Sequence, residues 1–496
     1  MGKIFYHSTR GDSRPVSAAE AIVNGIAADG GLYVPNFIPQ ITKPLVDLVS
    51  LSYQELALEI MQLYLPDFSA AELESAIGKA YDEKFATPEI APLVTHAGTH
   101  FLELYHGPTL AFKDMALSIL PHLLRLAADK CGIRQEVVIL TATSGDTGKA
   151  ALAGFANVPA TKIIVFFPED GVSPIQKRQM VTQEGDNTYV VGIEGNFDDA
   201  QSGVKDIFTD EKLKEKMLSA GYIFSSANSI NIGRLIPQII YYFYAYLRLL
   251  AGGAIKAGES INFVVPTGNF GNILAAYYAG RMGLPIAKLI CASNRNKVLY
   301  DFFTTGVYDK ERKFYVTISP SMDILISSNL ERLLYHASGE DSQWVKKQMQ
   351  ALQTKGRYSV PPVVQKALSN FVGGYATEAE TRAAIKTVYE ETNYLLDPHT
   401  AVAYSVLQKY RAAAADIAPT VVVATASPYK FAKDVLTSLD DKYEKYDDFS
   451  LLQEMAQLSA QPLPQAVKEL EKKSILHTKV CRKEEMRALV ENILGL

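Results

Sequence analysis

Three short, unbroken apolar runs with helical stretches between them restrict this chain more than any other feature. Val137-Val138-Ile139-Leu140, Lys162 to Pro168 and Thr188 to Ile193 are separated by helical patterns over 148–157 and 173–184, the second with Pro174 at a helix-start position. An apolar run of strand length suits a strand buried on both faces. Strands alternating with helices build βαβ units around a parallel sheet. Further runs of the same kind lie at 261–265, 288–292 and 420–424. An α/β fold follows, with parallel strands at its centre.

The flanks read differently. Residues 1–97 hold helices near 52–63 and 69–81, each opened by a serine able to cap it. The apolar stretch 235–251 is interrupted by Pro237, Gln238 and Arg248, so it reads as a buried helix and not a membrane span. Residues 300–395 are more helical and more charged, like an insertion or cap, and the segment from 440 is polar. A net charge of -5 gives no basic footprint for nucleic acid. Cys131, Cys291 and Cys481 form no CxxC pair, which suits a reducing compartment, and the start lacks an apolar run of signal length. A cytoplasmic location is expected.

Chemistry concentrates where strands end. Thr143-Ser144-Gly145-Asp146-Thr147-Gly148 and Gly268-Asn269-Phe270-Gly271-Asn272 each lie between a strand and a helix. Unpaired N–H groups at such places favour an anion, although both also read as ordinary turns. Neither is a Walker A loop or a GxGxxG fingerprint. Thr425-Ala426-Ser427 puts hydroxyls at a third strand end, where ligands bind in open α/β sheets. Lys113 closes Tyr105-His106-Gly107-Pro108-Thr109-Leu110-Ala111-Phe112-Lys113-Asp114 with apolar neighbours. An amine held there is costly to charge, which suits Schiff-base chemistry; taken alone, the stretch reads more readily as a surface lysine starting a helix toward Arg125. His96 and His100 lie four apart around Gly98 without an HExxH pattern, so no metal site is expected.

These segments together resemble the threonine synthase family in its long form with an added N-terminal domain. The Lys113 stretch is similar to its pyridoxal-phosphate lysine motif, 143–148 to its substrate loop, 268–272 to its cofactor-phosphate loop and 425–431 to its pyridine-side segment. Residues 6–11, 29–35 and 226–231 also match, in the right order, and the likeness runs to about residue 435. The resemblance implies a fold-type II pyridoxal 5'-phosphate enzyme, tryptophan synthase β-like, with two parallel-type α/β sheet domains and a mostly helical N-terminal domain. It places the N-terminal domain at 1–97, the large domain at 98–113 and 199–440 with a helical insertion at 300–395, the small domain at 114–198 and a helical tail at 441–496.

The implied enzyme is a carbon–oxygen lyase acting on phosphates. It turns O-phospho-L-homoserine and water into L-threonine and phosphate, the last step of threonine biosynthesis. The alternative is a phospholyase that releases 2-oxobutyrate from the same substrate. Lys113 would be the cofactor lysine and proton carrier. Gly268, Asn269, Phe270, Gly271 and Asn272 would bind the cofactor phosphate, and Thr425 would face the pyridine nitrogen. Ser144, Asp146 and Thr147 would serve the substrate carboxylate and the cofactor O3′ region. Ser226, Asn228, Asn231 and Arg234 would serve the substrate phosphate, Arg234 because its fork matches phosphate. Asp146 departs from the asparagine of many relatives of the wider fold, and an acid near an anionic substrate is unexpected. No nucleic acid, membrane or metal partner is expected, and the assembly is a monomer or homodimer.

Overall fold

The computed structural model describes residues 3–12, 14–143, 145–170, 172–459 and 462–496. Two open sheets organise them. The larger runs Phe371–Tyr375, Ile286–Ser293, Ile261–Pro266, Thr420–Ala424, Thr99–Glu103 and Leu93–His96. All neighbours pair in parallel except the last two strands, which form an antiparallel edge. Ile261–Pro266 and Thr420–Ala424 are buried at every position, as unbroken apolar runs require. Helix Ile232–Ala251 is buried over most of its length, and among the described residues no helix is long and apolar enough to cross a membrane.

The smaller sheet runs Lys479–Cys481, Thr188–Ile193, Thr161–Pro168, Glu136–Ala142 and Tyr222–Ser225, all parallel. Two of these strands lie outside the expected 114–198. Tyr222–Ser225 extends one edge, and Lys479–Cys481 comes from the segment read as a helical tail. That segment covers the polar edge of Thr188–Ile193, which would otherwise present unpaired backbone groups. Helix Met486–Leu494 then packs against Phe197–Thr209. The 300–395 region likewise holds more than helices, because Phe371–Tyr375 closes an edge of the larger sheet. Leu93–His96 joins the opposite edge, ahead of residue 98.

At the N-terminus, Ser17, Ser52 and Ser69 each cap a helix in a reciprocal box with Glu20, Glu55 and Glu72. Tyr6–Ser8 pairs antiparallel with Tyr33–Pro35. His96 stacks on Tyr394 and His100 bonds to Thr95, and among the described residues no cluster of metal-binding side chains forms.

The Lys113 turn is stitched to the end of strand Thr420–Ala424. Phe112 N donates to Thr425 O at 2.8 Å and Ser427 N to Leu110 O at 3.0 Å. The buried Asp114 carboxylate accepts from Thr109 N at 2.8 Å and Thr109 Oγ1 at 2.6 Å. Gly107 must lack a side chain, because a Cβ there would lie 2.6 Å from Asp114. The helix expected from Asp114 to Arg125 is instead two helices, Asp114–Leu117 and Leu120–Lys130, with Pro121 in the first turn of the second.

Candidate active site

Lys113 Nζ lies 3.3 Å from Ser321 Oγ and 3.7 Å from Asp146 Oδ2. Its ring neighbour Phe112 is 4.9 Å away, measured to the centroid. Burial pushes the lysine pKa down; Asp146 opposes this, and Lys430 and Arg234 lower it further. The geometry therefore favours an amine that gives up its proton more readily than a surface lysine.

Asp146 opens helix Asp146–Phe155 with its side chain 4% exposed. Its Oδ1 is 2.7 Å from Lys430 Nζ and accepts from Gln176 Nε2 at 3.0 Å. Ser321 Oγ donates to its Oδ2 at 3.4 Å. Burial alone would raise this carboxyl, but Lys430, then Lys113, hold it well below the usual carboxylate range. The unexpected acid is thus the counter-ion of two buried ammoniums. Lys430 has a fully buried side chain and donates its other bond to Thr109 O at 2.8 Å.

Gly268–Asn272 sits where strand Ile261–Pro266 meets helix Gly271–Arg281. Among the described residues, the main-chain N–H groups of 268–272 have no acceptor. A run of free N–H groups at a helix start is an anion cradle. Ser327 Oγ and Asn329 Nδ2 hold the carbonyls of Gly268 and Asn269 at 2.6 and 2.9 Å. Phe270 takes φ +66 with its ring packed against Phe303 and Phe371, so only its main chain serves the loop. Asn272 Oδ1 accepts from Tyr241 and Tyr242, each at 2.6 Å, which fixes the loop's exit. A Cβ on Gly268 would come 2.4 Å from Ser321 O. Gly268→Ala is therefore expected to weaken cofactor binding by roughly 5- to 150-fold, the equivalent of about 1–3 kcal/mol of overpacking. An absorbance titration with the cofactor checks this, and an unchanged affinity contradicts it.

Thr425 is buried beside the lysine turn, and Thr147 follows Asp146 in the same first helical turn. Ser144 lies outside the described residues. Arg234 is buried, gives Nη1 to Ala227 O at 3.0 Å and leaves Nε without a partner. Burial pushes its pKa down to about 10. Ser226 Oγ accepts from Asn228 N at 3.2 Å, and Asn228 is exposed. Asn231 is buried and held within the loop. Its Nδ2 donates to Ile22 O and Ser226 O, both at 2.9 Å, and its Oδ1 caps the next helix through Gly233 N. These internal bonds anchor the loop.

Ser321, Lys430 and the Asp397–His399 pair were not legible as site residues. His399 Nδ1 meets Asp397 Oδ1 at 2.8 Å, and its Nε2 accepts from Ser321 N at 3.2 Å, holding the loop that touches Lys113. The one available signal was a lysine inside the apolar Tyr429-Lys430-Phe431 segment.

An amine of lowered pKa, a buried hydroxyl-bearing strand end and a cradle of free N–H groups fit an aldehyde cofactor with a phosphate tail. Residues 89–427 match the model of the pyridoxal-phosphate-dependent enzymes. Fold and site therefore define a pyridoxal-phosphate enzyme of fold type II. Residues 5–81 match the threonine synthase N terminus and 400–486 the threonine synthase C-terminal region. Threonine synthase of Saccharomyces cerevisiae is 37% identical over 465 residues, covering 88% of this chain and 89% of that protein. The pyridoxal-phosphate-bound threonine synthase of Brucella melitensis superposes with a TM-score of 0.87 at 38% identity over 99% of both chains. This chain belongs to the threonine synthase family. Threonine synthase-like 1 of Homo sapiens is 41% identical over 86% of this chain, which spans 58% of that protein's length.

Proposed function

We propose that this chain converts O-phospho-L-homoserine and water into L-threonine and phosphate. The observation that carries this reading is Arg234. A buried guanidinium with an unpartnered Nε, close enough to depress Lys113, supplies a second phosphate-binding cation apart from the 268–272 cradle. A substrate bearing its own phosphate would use it.

The amine of Lys113 would hold pyridoxal 5'-phosphate, the N–H groups of 268–272 its phosphate, and Thr425 would face its pyridine nitrogen. When bound, the cofactor supplies an electron sink for the substrate's α carbon. Lys113, once free, would pass the Cα proton to the cofactor and so be able to take one from Cβ. The Cγ–O bond breaks and phosphate leaves with the electron pair, stabilised by Arg234 and by the Ser226–Asn228 loop. Cγ gains the proton taken from Cβ, the hydroxyl of water bonds to Cβ while its other proton goes to the departed phosphate, and Lys113 returns a proton to Cα. Asp146, locked between Lys430 and Gln176, keeps a fixed negative charge near the ammonium of Lys113 and favours its reprotonation between steps. Ser144 and Thr147 are the proposed groups for the substrate carboxylate. The three free thiols suit a reducing, cytoplasmic setting, as a monomer or homodimer.

Product analysis tests the reading. Incubation of the cofactor-loaded enzyme with O-phosphohomoserine is expected to give threonine and phosphate in equal amounts. Release of 2-oxobutyrate and ammonia without threonine would identify the phospholyase instead.

A further inference from the structure

Beside the turn that carries Lys113, three parts of the chain line a half-open pocket of about 140 Å³. Pro108 of the turn forms one wall. Lys149 and Gln179 come from helices of the smaller sheet, Gln183 from the segment that follows the second of these, and Lys473 reaches in from the C-terminal segment. Metabolite pockets run from roughly 300 to 1,000 Å³, so this volume suits a small ion.

Gln179 is 2% exposed, and neither atom of its amide has a partner. Buried polar groups normally find partners, so an amide with none at a cavity wall points to a ligand there. Lys149 Nζ donates to Gln183 Oε1 at 2.5 Å, and among the described residues no carboxylate pairs with Lys149 or Lys473. Burial, then the charges of Lys473 and Lys430, push the Lys149 ammonium down to about 7; Asp114 and Glu184, the latter also on the lining, oppose this. The C-terminal segment is firmly placed. Arg178 donates to the carbonyls of Leu470, Glu471 and Lys473, and Val181 O accepts from Leu476 N and His477 N.

We propose that this cavity binds a small oxyanion, monohydrogen phosphate in particular, between Lys149, Lys473 and the Gln179 amide. One amide offers one donor side and one acceptor atom. Monohydrogen phosphate answers both, with a P–O acceptor and an O–H donor, whereas sulfate at neutral pH has no O–H. The bound ion ties the C-terminal segment, the smaller sheet and the Lys113 turn together.

Equilibrium dialysis of labelled orthophosphate against the cofactor-loaded enzyme tests this, with Lys473→Met and Gln179→Met run in parallel. Lys473 is exposed, so its replacement leaves the packing intact. Phosphate sites at the catalytic centre are common to all three proteins and cancel in the comparison. Each variant is expected to lose one bound phosphate per chain, with affinity reduced at least tenfold, and sulfate and acetate are expected to displace it poorly. Isotherms that superimpose on the wild type, or equal displacement by sulfate and acetate, overturn the proposal.

Discussion

Replacing Lys113 with alanine is expected to cut turnover of O-phosphohomoserine at least ~1,000-fold. A positioned acid–base group contributes about 10²–10⁴-fold, and this lysine is assigned two proton transfers and the cofactor bond. The fold should survive the change. Asp146 keeps Lys430 at 2.7 Å and Gln176 at 3.0 Å, so no buried carboxylate is left without a partner. Unchanged circular dichroism beside lost turnover is the expected pair of results. Turnover within tenfold of the wild type would place the essential amine elsewhere.

The second large effect concerns the buried pair Asp146–Lys430. With side chains 4% and 0% exposed, solvent screens them little. Removing one partner of such a pair typically costs about 3–5 kcal/mol, because the other charge stays buried and unbalanced. Lys430→Met should therefore lower unfolding free energy by about that amount and leave Asp146 acting on Lys113 alone. Lys430 now depresses the Lys113 pKa and Asp146 raises it, so the substitution moves the acid limb of activity, where the base becomes protonated, to higher pH. Asp146→Asn should cost a similar amount, with the opposite shift. The double variant removes both charges and should cost clearly less than the two singles summed. Chemical denaturation of all four proteins measures this; strictly additive losses would contradict the pairing.

The same pair sets part of the acid sensitivity. The Asp146 pKa is depressed in the folded protein, so its stabilisation is fully present above the unfolded carboxylate pKa of about 4. It is lost as pH falls from there toward the folded value.

The buried strands were legible because each is a short apolar run: 188–193 and 420–424 coincide with the observed elements, and the serine caps at Ser52 and Ser69 fall where expected. Lys479–Cys481 was not, because a three-residue edge strand carries no period and is specified by the strand it covers. Within the site, loops beside strand ends announced themselves through glycine and hydroxyl content. The helix-capping role of Asn231 was not legible, because a polar residue in a polar loop looks the same whether it faces a ligand or caps a helix. Lys430, Ser321 and His399 were hidden because their meaning lies in partners 78–321 positions distant, and only the folded chain brings those together.

Borohydride reduction of the cofactor-loaded protein, followed by peptide mapping, tests the central assignment most directly. The label is expected on the peptide containing Lys113 and on no other, with Lys113→Ala unlabelled. Label on Lys149, Lys430 or another lysine in the wild type, with Lys113 unmodified, would contradict it.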